Sequence, residues 1–209
     1  MCGKFTLAKS LIELKKAFPQ VIFDEELPAN YNFSPTNQVW AVLGQGLAPL
    51  SWGISPAWDR EKRLINARAE GLSEKPSFAE LYQQNRCLIL ADGFYEWKQE
   101  AKIRTPYYFS LMGGRPFAFA GLWQEWQGQR QCTVITVKAN EQVSPIHDRM
   151  PAILEGEASQ AWLAEPRGEL LSPFDAKEMQ SWQVGRGVSK RGAQGQSLIL
   201  PIEDEQLRF

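Results

Sequence analysis

The most unusual chemistry in this chain sits at its start. A cysteine directly follows Met1, and a side chain that small lets an aminopeptidase remove the methionine and expose Cys2 as the first residue. Its α-amine, with a reference pKa of about 7.7–8.0, is partly unprotonated near neutral pH, and free amines form Schiff bases with carbonyls. The thiol, with a reference pKa of about 8.5, can then add to the imine carbon and close a five-membered thiazolidine. An N-terminal cysteine is therefore a trap for an aldehyde. For an arbitrary cysteine at position two, a small apolar residue at a frayed end is the commoner outcome. Only partners elsewhere in the chain can raise the chemical reading above it.

Three segments offer such partners. Glu96 stands between Tyr95 and Trp97; a carboxyl pointing into a partly dry pocket has a raised pKa and becomes a proton donor, whereas an edge glutamate in water does not. His147, the only histidine, lies in the Pro-bounded run 144–151 directly before an acid and an arginine, Asp148 and Arg149, and imidazole is the side chain suited to proton transfer near neutral pH. Asn66, Arg68 and Glu70 alternate, so a strand would put all three on one face. Asn and Arg there could bind a phosphate or base edge while Glu70 holds Arg68; alone, a surface charge pair is the plainer reading.

The elements that must position these residues follow from periodicity. Apolar residues at 7, 11, 14 and 18 predict an amphipathic helix over 7–18. The Asn- and Pro-rich stretch 27–37 predicts a surface loop, and 39–43 with 50–52 a hairpin turning at Gly44 and Gly46. A short helix capped by Ser77 is expected over 76–84. Residues 86–97 are the strongest strand signal, with a bend or bulge at Asp92-Gly93. Strands over 106–112, 116–123 and 131–137 complete a mostly antiparallel, strongly curved sheet. Helices are expected over 157–165 and 174–182, a mobile basic loop over 185–196, and a last strand over 198–202. Of the two indoles in 52–58, Trp52 is expected in the core and Trp58 is free to stay exposed.

Composition bounds the class. With 209 residues, 44% of them hydrophobic, and eight tryptophans, the chain can bury a sizeable core and reads as one domain over 1–209. A formal net charge of −1 means that any nucleic-acid binding needs a local basic patch. Three cysteines, Cys2, Cys87 and Cys132, are odd in number and form no CxxC pair, which argues against a disulfide framework and for a reducing, intracellular setting. Neither a signal-peptide leader nor a bilayer-length apolar run is present. The cysteines and the lone histidine are scattered singly, unlike the paired ligands of structural zinc. No metal or cofactor is expected.

Taken together, Cys2-Gly3-Lys4-Phe5, Asn66-Ala67-Arg68-Ala69-Glu70, Asp92-Gly93-Phe94-Tyr95-Glu96-Trp97, Phe119-Ala120-Gly121-Leu122-Trp123 and His147-Asp148-Arg149-Met150-Pro151 resemble, in order, the SOS-response-associated peptidase (SRAP) family of abasic-site shielding proteins. The resemblance implies an α+β SRAP fold around a curved, barrel-like sheet. It also implies that Cys2 forms a thiazolidine crosslink with the ring-opened aldehyde of an abasic site in single-stranded DNA. Carried over by residue, Cys2 is the nucleophile, Asn66 positions the Cys2 end and the sugar, Glu96 is the acid/base that opens the deoxyribose, and His147 partners the sugar oxygen and leaving groups. Arg68, Arg149 and Thr136 become phosphate ligands and Trp58 the wedge that stacks on a base. Lys4 stands where the family commonly has Arg, keeping the charge without the bidentate fork; Gly71 replaces a usual Thr, and 188–201 matches loosely.

The expected partner is single-stranded DNA with abasic sites, bound by a monomer in the cytoplasm at the nucleoid, without membrane or metal. Lys4, Arg68 and Arg149, with Arg60, Lys62, Arg63 or Lys190, would have to converge on one face. Two alternatives stay open: a thiol peptidase or autopeptidase built from Cys2, Glu96 and His147, and a non-covalent reader of single-stranded or modified DNA.

Overall fold

The computed structural model describes residues 2–44 and 46–202; the proposed removal of Met1 concerns a residue outside them. Its strands are β1 (Lys4–Leu7), β2 (Asn30–Phe33), β3 (Gln38–Leu43), β4 (Gly46–Trp52), β5 (Asn66–Arg68), β6 (Arg86–Ala91), β7 (Gly93–Glu100), β8 (Ile103–Leu111), β9 (Phe117–Trp126), β10 (Gln129–Lys138), β11 (Arg149–Pro151), β12 (Ile153–Leu154) and β13 (Met179–Gln183). The α-helices are α1 (Leu11–Ala17), α2 (Ala79–Gln84) and α3 (Gly156–Ala164).

Five strands close on themselves in the order β10, β4, β3, β6, β9 and back to β10, and β5, β11 and β12 attach to this barrel. A second sheet, β13-β8-β7-β1-β2, is antiparallel throughout. The fold is thus the mostly antiparallel, barrel-like α+β architecture expected; the parallel exceptions are the pairings of β10 with β4 and with β5. β6 is buried along its whole length because the barrel covers one face and helices α2 and α3 pack against it. That explains its continuous apolar sequence.

Phe5 ties the two sheets together. Its ring lies 4.9 Å from Phe33, 5.0 Å from Trp52 and 5.4 Å from Phe119, and it has no exposed surface. Burying such a ring contributes about 1.5–3 kcal/mol, enough to anchor the N-terminal strand three residues from Cys2. The Asp92-Gly93 bend falls between β6 and β7 as expected. Gly93 is required there, since a Cβ would sit 2.0 Å from the Tyr108 hydroxyl oxygen.

Several boundaries differ from expectation, each for a local reason. Leu7 belongs to β1, and the helix starts after Ser10, whose capping box with Glu13 sets the boundary. The Asn-rich stretch holds β2, because Asn32 spends its side chain on tertiary hydrogen bonds instead of a turn. The expected helix over 174–182 is a 3-10 turn (Ala176–Glu178) followed by β13, paired with β8. The expected mobile loop is pinned: Asn32 Nδ2 donates to the carbonyls of Val188 (3.2 Å) and Ala193 (3.0 Å), and Gln194 Oε1 accepts from the Tyr31 amide. The final strand is a 3-10 turn, Gln196–Ile199, with a single bridge between Val184 and Pro201. Ser77 caps no helix; its hydroxyl accepts from Trp58 Nε1 at 3.1 Å.

Candidate active site

The β1–β7 register sets Lys4 opposite Tyr95 and Phe5 opposite Phe94, so the chain leading into β1 runs beside Glu96. Asn66 reaches the same place from β5, its Nδ2 donating to the Cys2 carbonyl at 2.9 Å. His147 lies on the turn between β10 and β11, strands held together by the Lys138–Arg149 and Thr136–Pro151 pairs. Four segments distant in sequence thus converge.

Cys2 is fully buried, its thiol 3.8 Å from the Lys4 carbonyl. Burial, with the nearby Glu96 carboxylate adding to it, pushes the thiol far above its ordinary range, so it sits there as S–H. Glu96 is 3% exposed, and loss of hydration raises its carboxyl pKa, against a smaller pull from His147. Burial thus shifts it toward the proton-bearing form that a proton donor needs. The Asn66 Oδ1 is buried without a hydrogen-bond partner, on the side chain whose Nδ2 holds the Cys2 carbonyl.

Two contacts meet at one nitrogen of His147: the Arg149 amide donates to Nδ1 at 3.0 Å, and Asp148 Oδ1, on a side chain 84% exposed, lies 2.9 Å from the same atom.

Gly3, Lys4, Glu96, Trp97, Arg104, His147, Arg186 and Ser189 line a groove of ≈ 590 Å³. Lys4 Nζ donates to Asn32 Oδ1 and Ser34 Oγ, both at 2.8 Å. Burial lowers its pKa. Trp97 Nε1 donates to Ser189 Oγ at 3.3 Å, which ties the groove wall to the C-terminal segment.

Other expected site residues lie elsewhere. β5 ends at Arg68 and the chain turns 3-10 over Ala69–Gly71, so the two-residue alternation stops before Glu70. Glu70 does not hold Arg68; it makes a bidentate pair with Arg149, 2.5 and 2.9 Å. Arg149 is buried and also donates to the Thr136 carbonyl at 2.5 Å. Thr136 is fully buried, its hydroxyl on the Ala67 carbonyl at 3.4 Å. Thr136, expected as a phosphate ligand, thus braces Arg149 from a fully buried position. Arg68 is exposed.

The expected cationic face is also redistributed. Arg60 and Arg63 donate to Ser55, and Arg60 stacks 3.5 Å over the Trp126 ring. They brace the loop that carries Trp58, which is 62% exposed with the Lys62 ammonium 4.5 Å over its ring. Arg104 and Arg186, not Lys190, join Lys4 in the groove. Arg104 was not singled out in sequence; its place opposite Gln99 in the β7–β8 hairpin is the signal that could have found it.

The sequence profile described as "SOS response associated peptidase (SRAP)" matches residues 1–191. The chain belongs to the SRAP family. Among its relatives, the abasic site processing protein YoqW of Bacillus subtilis is 37% identical over a 211-residue alignment, covering 90% of this chain and 94% of that one. The abasic site processing protein YedK of Escherichia coli is 29% identical, covering 97% of this chain and 100% of its own. A crystal structure of a protein from Bacteroides thetaiotaomicron superimposes with a TM-score of 0.86 at 24% identity, over 97% of this chain and 100% of that one. The SRAP match therefore spans every strand and α-helix named above, from β1 to β13. No helix among the described residues is long and apolar enough to cross a membrane.

Proposed function

We propose that this SRAP protein processes abasic sites in single-stranded DNA, with Cys2, freed of Met1, capturing the ring-opened sugar as a thiazolidine. The observation that carries this reading is the convergence of Cys2, Asn66, Glu96 and His147, from four separate segments, beside one groove lined by cations.

Each group has a step. An abasic deoxyribose rests mostly as a closed hemiacetal, so ring opening needs a proton on the ring oxygen; Glu96, whose pKa burial raises, supplies it in this reading. The α-amine of Cys2 adds to C1′ and water leaves, forming the imine. Because its thiol is held as S–H, the amine acts first and sulfur closes the ring second, its proton passing to the imine nitrogen. Asn66 fixes the Cys2 carbonyl and offers its open Oδ1 to the sugar. The His147 imidazole partners the sugar oxygen. Lys4, Arg104 and Arg186 neutralise phosphates, a term indifferent to sequence, and Trp58 adds a stacking face. Arg68 remains available as an exposed phosphate ligand, and Arg149 acts through His147, whose ring its amide orients.

The test is incubation of the processed protein with single-stranded DNA holding one abasic site, followed by denaturation. An adduct that survives heat and is absent in Cys2→Ala is expected. Release of a peptide without adduct would replace this reading with a thiol peptidase, and complete dissociation in denaturant with a non-covalent reader.

A further inference from the structure

We propose that Lys4 is a second carbonyl-capturing amine, whose Nζ forms an imine with the aldehyde in the groove and hands the sugar on to the α-amine of Cys2. This rests on the abasic-site reading above and adds a step to it.

The placement of the two nucleophiles is the first observation. Lys4 lines the groove with Glu96 and His147, whereas Cys2, two residues before it, is not among the lining residues and is buried. The lysine side chain is therefore the amine that the groove itself presents to an aldehyde. The second observation is how Nζ is held. Its two hydrogen-bond partners, Asn32 Oδ1 and Ser34 Oγ, are neutral acceptors, and Lys4 makes no ion pair among the described residues. Asn32 is itself buried and fixed by the Val188 and Ala193 carbonyls, so the nitrogen is held in place without a carboxylate to keep its proton.

Burial lowers the Lys4 pKa, and Glu96, the one acidic side chain among the residues that line the groove, is shifted toward its neutral form by burial as well. An arginine at this position could neutralise phosphate but could not supply the amine that an imine needs.

The steps balance without any added reagent. The Nζ lone pair adds to C1′, a proton reaches the former carbonyl oxygen, and water leaves to give the lysine imine. The Cys2 α-amine adds to that carbon, the C1′–Nζ bond breaks, and the lysine leaves as an amine. The Cys2 imine then accepts sulfur. Net, one aldehyde and one cysteine give one thiazolidine and one water.

The experiment uses the full chain and a single-stranded oligonucleotide with one abasic site, in the presence of cyanoborohydride, which reduces imines to stable secondary amines. Cys2→Ala protein should yield a reduced adduct that peptide mass mapping places on Lys4, and adding Lys4→Arg should remove it. In protein that keeps Cys2, Lys4→Arg should slow thiazolidine formation roughly tenfold in single turnovers at saturating protein, where weaker phosphate binding does not enter. Reduced adduct found only on the α-amine of residue 2, or an unchanged single-turnover rate in Lys4→Arg, would overturn the Lys4 step and leave the Cys2 reading standing. A wild-type protein that gives no adduct of either kind overturns both.

Discussion

At its far end β1 is held by Asp92: Thr6 donates to one carboxylate oxygen, the Ala8 amide to the other at 2.8 Å, and the Tyr108 hydroxyl lies 2.9 Å from Thr6 Oγ1. At its near end the strand begins beside Glu96, four residues further along the same bend. Both carboxyls are buried, and lost hydration raises both pKa values. Yet Asp92 is enclosed by its partners, while Glu96 lines a groove with Lys4 and His147. On the proposed function, a perturbed carboxyl marks a reactive site when a concavity and a reaction partner come with it.

The largest expected effect separates the two. Glu96→Gln should slow adduct formation by about 10²–10⁴-fold, the usual range for a lost proton-transfer group, while binding of DNA with an unreactive abasic analogue stays nearly unchanged. Asp92→Asn should do the reverse: per folded molecule the rate holds, and denaturant melts show a loss of about 1–3 kcal/mol. Equal losses of rate and binding in Glu96→Gln would take Glu96 out of the chemistry. Both raised carboxyls bind their protons more tightly in the folded state, so this part of the stability falls as pH rises from their ordinary values through their folded ones. Asp92→Asn should flatten that slope.

Trp58 sharpens the contrast between an exposed ring and a core one. Trp52, six residues earlier, is fully buried with Nε1 on the Ile65 carbonyl at 2.9 Å, while Trp58 is exposed, with Nε1 on Ser77 Oγ and the Lys62 ammonium 4.5 Å over its ring. Trp58→Ala should weaken DNA binding by about 1–3 kcal/mol irrespective of sequence and leave the melting temperature almost unmoved. A sequence-dependent loss would show that the ring does something other than stack.

How much of this was legible in sequence depended on range. β6, β7 and their bend follow from apolar periodicity and the Asp92-Gly93 step, which are local, and the antiparallel sheet from hairpin-length links; its barrel-like closure is what the family resemblance implies. Glu96 and His147 were marked by residue type and flanks. What sequence missed was set by tertiary contacts. Glu70 was read against Arg68 because alternation was carried two residues too far. β13 was read as helix because its pairing with β8 is visible only in three dimensions, and the basic C-terminal segment was read as mobile because the Asn32 clamp lies more than 150 residues away in the chain. The Lys4–Asn32–Val188 linkage is of the same kind.

The Glu70–Arg149 pair offers a smaller test of the structural side of the comparison. Its bidentate bond to Arg149 holds the Glu70 carboxyl at about 2, below the usual carboxylate range. A depressed folded value means stability that is fully present above the unfolded pKa and is lost as pH falls toward 2. Glu70 is half exposed, so screening keeps the contribution to about 1 kcal/mol. Glu70→Gln should therefore lower stability modestly at neutral pH and by nothing near pH 2. A loss that persists in acid would mean that packing, not charge, is what the glutamate supplies.

The smallest expected effect concerns the cations that replace the predicted convergence. Arg186 is exposed and lines the groove, whereas Lys190, four residues on and equally exposed, does not. If the groove tracks a single strand, removing one phosphate contact should lower the slope of log affinity against log salt by about 0.7. Arg186→Ala should show that change and Lys190→Ala none. The two substitutions remove the same formal charge from the same segment, so a difference between them measures groove geometry and not net charge. Identical slopes for both would place the DNA path off the Glu96 groove.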